Sequence, residues 1–127
     1  MTQATAAPRR LFIVEDHLIM RQSYVMLFNW SADIEVCGAV ETAEEALREI
    51  PAARPELVLI DVSLPGMNGL QLVEVLRRQQ PDLRLLVVTG HDEEHYAEAA
   101  IRAGADGFIR KGDTAALLQI VEATFRR

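Results

Sequence analysis

The sequence predicts an open, doubly wound α/β domain: five parallel strands in one sheet, with five helices on its two faces. Three observations predict it. Five short apolar runs, residues 11–14, 34–40, 57–60, 85–88 and 107–109, are each too short for a helix and rich in Val, Ile, Leu or Phe. Longer segments with helical spacing follow them in strict alternation. The runs lack a polar face, as strands buried on both sides do, which calls for a parallel sheet with helices on each face. Right-handed crossovers wind such a chain into an open sheet, because a closed barrel needs eight units.

Taken in order, the elements justify themselves locally. Residues 1–10 are polar and Ala-rich, so residues 1–9 are expected to form a flexible N-terminal segment and 10–127 one domain. The run 11–14 is the first strand. The first helix follows, with Tyr24, Val25, Leu27 and Phe28 as its apolar stripe. The run 34–40 reads as an edge strand. Thr42-Ala43-Glu44-Glu45 opens the second helix as a capping box, with Ala43, Ala46, Leu47 and Ile50 behind it. After 57–60, the third helix begins at Asn68-Gly69 and carries Leu72, Val73 and Leu76. After 85–88, the fourth opens on Asp92, Glu93 and Glu94, charges that suit the positive end of a helix dipole. After 107–109, the fifth starts at Asp113 and runs through Leu117, Leu118, Val121 and Phe125.

Composition removes several functions. The chain has 127 residues, half of them apolar and a quarter charged, which is ordinary globular composition. Thirteen Lys and Arg against nineteen Asp and Glu give a net charge of −6, which argues against a module that binds nucleic acid. Cys37 is the sole cysteine, so an intramolecular disulfide and a cysteine zinc cluster are excluded. No apolar run approaches a membrane span, and residues 1–10 have no signal-peptide apolar core; the expected compartment is the cytoplasm. Twelve of the thirteen cations are Arg; the single lysine is Lys111.

Open sheets of this class place function outside the carboxyl ends of the strands. The residues there are Glu15 and Asp16 after the first run, Asp61 after the third, Thr89 and Gly90 after the fourth, and Lys111 after the fifth. Each alone has an ordinary explanation as a turn, cap or solvated loop residue. Together, four of five strands deliver a polar group to one edge. Three carboxylates in one crevice repel, by roughly 3 kcal/mol for a pair about 5 Å apart at an effective dielectric near 20. All-oxygen ligands favour a hard divalent cation, and Mg²⁺ takes one or two carboxylates together with waters and phosphate oxygens. Lys111 supplies a flexible point charge to phosphate oxygens, Thr89 a hydroxyl, and Gly90 room for access.

These residues lie in stretches that resemble the receiver domain of bacterial two-component response regulators, over about residues 10–125. The carrying motifs are Val14-Glu15-Asp16-His17, Leu59-Ile60-Asp61-Val62-Ser63-Leu64-Pro65-Gly66-Met67-Asn68-Gly69, Val88-Thr89-Gly90, and Gly104-Ala105-Asp106-Gly107-Phe108-Ile109-Arg110-Lys111. Among CheY-like receivers, the Glu-Asp-His start and the Gly-Ala-Asp-Gly-Phe stretch look closest to the NarL-like, LuxR-type group. The resemblance implies the strand order 2-1-3-4-5 and a Mg²⁺-dependent phospho-acceptor switch. Asp61 would accept a phosphoryl group from a sensor histidine kinase or phosphotransfer protein. Asp16, Asp61 and the Ser63 backbone carbonyl would hold Mg²⁺, with Glu15 acting through water. Thr89, Lys111 and Gly90 would bind the phosphoryl group. Thr89 and Phe108 would switch the face formed by helix 4, strand 5 and helix 5; Phe108 reads equally as a plain core aromatic. Ser63 and His91 would tune the phosphoryl lifetime.

Departures and rivals are visible too. Gly112 follows Lys111 where many receivers have proline, and Phe108 lacks the hydroxyl of a tyrosine. A Mg²⁺-dependent phosphatase or phosphotransferase with an Asp nucleophile would usually carry a second Asp where Ser63 stands. A flavin-nucleotide binder would need a phosphate-cradling loop where Glu15 and Asp16 repel phosphate. A receiver-like module that binds partners without phosphorylation is opposed by the intact acidic pair, Asp61, Thr89 and Lys111. The expectation is a signalling switch and not an enzyme beyond its own phosphorylation and dephosphorylation. No helix-turn-helix follows helix 5, so a stand-alone receiver and a piece of a longer regulator both fit. A phosphorylation-dependent homodimer is expected, through helices 1 and 5 or through the helix 4–strand 5–helix 5 face.

Overall fold

Strands and helices alternate along the chain: β1 (Arg9–Val14), α1 (Leu18–Asn29), β2 (Ile34–Val40), α2 (Ala43–Ala53), β3 (Leu57–Asp61), α3 (Gly69–Gln79), β4 (Arg84–Thr89), α4 (Tyr96–Ala103), β5 (Gly107–Arg110) and α5 (Thr114–Phe125). The structure, a computed structural model, describes residues 7–90 and 95–127. Every strand pairing is parallel, and the order across the sheet is β2-β1-β3-β4-β5. The open, doubly wound sheet is therefore the observed architecture, with β2 and β5 as its edges.

Successive strand residues point to opposite faces, and this splits the core in two. On one face Phe12, Val14, Val58, Ile60, Leu85 and Val87 pack against Ala46 and Ile50 of α2, Leu72 and Leu76 of α3, and Ala100 of α4. On the other, Leu11, Ile13, Leu57, Leu59, Leu86 and Val88 pack against Tyr24 and Phe28 of α1 and Leu117, Val121 and Phe125 of α5. Full burial of a Leu, Ile, Val or Phe side chain contributes about 1.5–3 kcal/mol, so the three central strands dominate the stability of the sheet. Among the described residues, no helix is long and apolar enough to cross a membrane.

Three local details differ from the sequence expectation. β1 starts at Arg9, inside the segment expected to be flexible. Arg9 N donates to Asp33 O (2.9 Å), its Nε reaches Glu56 Oε1 (2.6 Å), and Arg10 N donates to Glu56 Oε2 (3.1 Å). Charged side chains with partners thus extend a strand that hydrophobicity alone would begin at Leu11. The capping box expected at Thr42 is only half made: Thr42 Oγ1 accepts from Glu45 N (3.0 Å), but its hydroxyl donates to the Glu45 carboxylate (3.1 Å). The reciprocal box forms at α3 instead, where Gln71 N donates to Asn68 Oδ1 (2.9 Å) and Asn68 N donates to Gln71 Oε1 (3.0 Å). Third, β1 pairs Leu11 with Val36 but Phe12 with Gly38, leaving Cys37 as an extra residue on β2. Gly38 is required there, because a Cβ would lie 2.4 Å from Phe12 Cε2.

Candidate functional site

The ladder of the sheet runs one residue past several strands, and the candidate residues lie at or beside those positions. Glu15 N donates to Val40 O (3.0 Å), Val62 N to Val88 O (3.0 Å) and Lys111 N to Thr89 O (2.8 Å). Asp61 is the last residue of β3, in register with Val88, so Thr89 stands one step beyond it. Backbone pairing of buried strands therefore fixes Glu15, Asp61, Thr89 and Lys111 at one edge.

The side chains converge. Lys111 Nζ lies 3.0 Å from Asp61 Oδ2 and 3.5 Å from Glu15 Oε1. The other Asp61 oxygen, Oδ1, accepts from Ser63 N (3.0 Å), and Glu15 Oε2 accepts from His17 N (3.1 Å). Asp61 and Glu15 are buried, at 3% and 1% exposure, while Asp16 is exposed at the rim. Carboxylate oxygens of Glu15, Asp16 and Asp61 lie within 4.8 Å of one another.

This packing is electrostatically costly, and the pKa shifts show where. Burial, with the charge of Asp61 adding to it, raises the Glu15 carboxyl to about 7; the His17 N–H and Lys111 pull the other way. Burial alone would lower the Lys111 pKa, but its hydrogen bond to Asp61 and the charges of Asp61 and Glu15 raise it. Three carboxylates against one ammonium leave an excess of two negative charges when all are ionised. Among the described residues, Glu15 Oε1 is fully buried and accepts no hydrogen bond; only the ion pair with Lys111 at 3.5 Å offsets the cost of burying it, and a further cation would offset more. An all-oxygen donor set with a doubly negative excess fits Mg²⁺.

The remaining expected residues fall as follows. Thr89 is buried at the end of β4, with Gly90 after it, and Ser63 is exposed on the loop after β3. Phe108 is not a core aromatic: it is 48% exposed and lines a groove with His95, Ala97, Glu98, Ile101 and Arg102. The expected His91 and the acidic opening of α4 at Asp92, Glu93 and Glu94 lie outside the described residues. Two participants escaped the sequence reading. Tyr24, counted only as part of the α1 stripe, lines a cavity of about 200 Å³ with Lys111 and Gly112. Burial first, then Glu15 and Asp61, push its phenol up, keeping it neutral. Glu44, in the first turn of α2, accepts from Met67 N (3.1 Å) and so braces the loop that carries Ser63; that bond holds its carboxyl below the usual range. An acid in a first helical turn was its only sequence signal.

Similarity to known proteins agrees with this geometry. The family described as the response regulator receiver domain matches residues 11–122. A DNA-binding transcriptional activator of Mycobacterium tuberculosis, DevR/DosR, is 36% identical over 102 residues, which cover 80% of this chain and 47% of that protein. The crystal structure of a LuxR-family two-component response regulator from Aurantimonas superposes with a TM-score of 0.87 at 31% identity, covering 94% of this chain and 86% of that one. The receiver domain of a NarL response regulator from M. tuberculosis gives 0.88 at 26% identity, covering 95% and 98%. The chain spans about half the length of the curated relatives it matches.

Proposed function

The chain belongs to the response regulator receiver domain family, and from that premise we propose that Asp61 is its phospho-acceptor, served by the phosphohistidine of a sensor histidine kinase or phosphotransfer protein. The observation that carries the reading is the buried Asp61 carboxylate held between the Lys111 ammonium at 3.0 Å and two further carboxylates. The domain extends from β1 through α5, roughly residues 10–127 as the sequence suggests, and works in the cytoplasm, where such donors present their phosphoryl groups.

A carboxylate oxygen of Asp61 attacks phosphorus. The P–O bond forms as the P–N bond to the donor imidazole breaks, and its electron pair returns to the ring nitrogen. Lys111 shifts its hydrogen bond from the carboxylate to the phosphoryl oxygens, and the Thr89 hydroxyl donates to them, beside the opening left by Gly90. Asp16, Asp61 and the Ser63 carbonyl would hold Mg²⁺, with Glu15 acting through a water molecule. When bound, the ion neutralises the excess negative charge and lets an anionic donor approach. Hydrolysis of the acyl phosphate restores Asp61, at a rate tuned by Ser63 and His91; no free metabolite is turned over. Thr89, drawn to the phosphoryl group, leaves room for the half-exposed Phe108 ring to turn inward, changing the α4–β5–α5 face. Pairing of phosphorylated copies has exposed apolar residues at hand on the elements of both expected faces: Met26 on α1 and Ile120 on α5, and Ile101 on α4 and Phe108 on β5.

Incubation with a small acyl-phosphate donor, followed by intact-mass measurement, tests the reading. Wild type should gain one phosphoryl group in Mg²⁺ and none in chelator, and Asp61→Asn should gain none. Equal labelling without metal, or labelling that survives Asp61→Asn, would overturn it.

A further inference from the structure

We propose that Arg77 is a positioning residue for the switch: its guanidinium pins the C-terminal end of α4 and the start of β5, so that phosphorylation swings α4 about Gly104. The inference rests on the phospho-acceptor reading above and assigns the hinge on which that reading depends.

The pinning is built from one side chain. Arg77, in the last turn of α3, makes five hydrogen bonds. Nε and Nη2 both donate to Gly104 O (2.9 and 2.8 Å), Nη1 donates to Pro81 O (2.7 Å) and Leu83 O (2.6 Å), and Nη2 also meets Asp106 Oδ2 (3.1 Å). A guanidinium has five N–H donors in a fixed fork, so the set is saturated. The acceptors come from the α3–β4 connection, the cap of α4 and the turn into β5. Asp106 passes the hold on to β4, its Oδ2 accepting from Leu85 N (2.8 Å) while its own N–H donates to Leu85 O (2.8 Å). Gly104 is seated on the same side chain: its φ is +118°, and a Cβ there would lie 2.9 Å from Arg77 Cγ.

Beside Arg77, this corner is held by backbone hydrogen bonds from Gly104 N to Ile101 O and from Ala105 N to Ala100 O and by the buried Ala105, and the elements that flank it bury little. α4 has eight residues and buries only Ala97 and Ala100 of them, and β5 buries only Ile109. At the opposite end of α4, among the described residues, His95 makes no side-chain capping bond. That end faces both places that must communicate. Tyr96 lines a groove with Asp16, Ser63 and Asn68, while His95 lines the groove with Phe108. A short helix pinned at one end, with the other end between acid pocket and aromatic, moves as a lever. Without the pin, the same perturbation would fray α4 from both ends.

Hydrogen exchange read by mass spectrometry, with Mg²⁺ and beryllofluoride as a phosphoryl stand-in, tests this on the full chain. Wild type should change exchange in the first turn of α4 while residues 103–106 stay protected in both states. Arg77→Met should exchange residues 103–110 at least tenfold faster without beryllofluoride and lose more than half of the beryllofluoride-dependent difference, with acyl-phosphate labelling of Asp61 within twofold of wild type. Arg77→Lys keeps the charge and the stem but not the fork; it should behave like Arg77→Met, and it carries the test if the Met variant does not fold. Val73→Ala destabilises α3 without touching the guanidinium and should keep the full difference. A full difference in both Arg77 variants, or an equal loss in Val73→Ala, would overturn the role of Arg77 alone. A wild type indifferent to beryllofluoride would overturn the phospho-acceptor reading and this inference with it.

Discussion

β3 with α3, and α4 with β5, are adjacent pieces of one sheet and its cover, yet they are held by different means. All five residues of β3 are buried, with a strand on either side, and α3 buries Leu72, Val73 and Leu76 behind a reciprocal cap. β5 is an edge of four residues with one buried, and the helix before it offers the core two alanines. Apolar burial resists deformation, because every opened contact costs transfer and cavity energy. Hydrogen bonds exchange with water at a net cost of only about 0.5–1.5 kcal/mol each. The half that presents Asp61 is therefore rigid, and the half that presents Phe108 is adjustable. Geometry is spent where phosphorus must be met and freedom is left where the result is displayed.

The contrast can be broken most forcefully in the rigid half. Leu72→Ala should cost about 2–5 kcal/mol in urea unfolding, as truncations of fully buried leucines do; a cost below about 1 kcal/mol would show that α3 is no firmer than α4. The acid pocket comes next. The folded state raises Glu15 to about 7 from its ordinary 4.5, so folding favours the protonated form. That contribution is full below about pH 4.5 and is lost as the pH climbs through about 7. Metal-free chain should therefore lose stability between pH 5 and pH 8, Mg²⁺ should restore it at pH 8, and Glu15→Gln should flatten the slope; urea midpoints at the two pH values check all three. A smaller effect is expected at the α3 cap, where Asn68→Ala should cost about 1 kcal/mol by thermal unfolding. The smallest belongs to the adjustable half: Phe108→Ala should cost less than about 0.5 kcal/mol, as at a surface site, while shrinking the beryllofluoride-induced change measured by hydrogen exchange around α4.

The sequence made the central strands and the polar residues at their ends legible, because both follow from local pattern: an apolar run, then an acid, a threonine or a lysine. What escaped it depends on partners far along the chain. Arg77 is one of twelve arginines, and nothing near it announces three backbone carbonyls and a carboxylate, because these are gathered only when α3, β4 and β5 meet. Tyr24 reads as one more apolar position on α1, since its relation to Glu15 and Asp61 exists only in three dimensions. Phe108 belongs to an apolar run, and the run alone does not reveal that its strand has a neighbour on one side only. The half-made box at Thr42 failed for a chemical reason: the hydroxyl found the Glu45 carboxylate before the backbone N–H could.

The skipped residue on β2 has a bearing on how the protein coexists with its own copies at high concentration. An open sheet exposes two borders, and a straight border invites another chain to zip on and continue the ladder. On β2 the extra Cys37 breaks the repeat partway along the strand. A newcomer aligned with one half of that border is out of step with the other, so the irregularity beside the Phe12 ring also makes this side of the molecule a poor seed for fibrous aggregation.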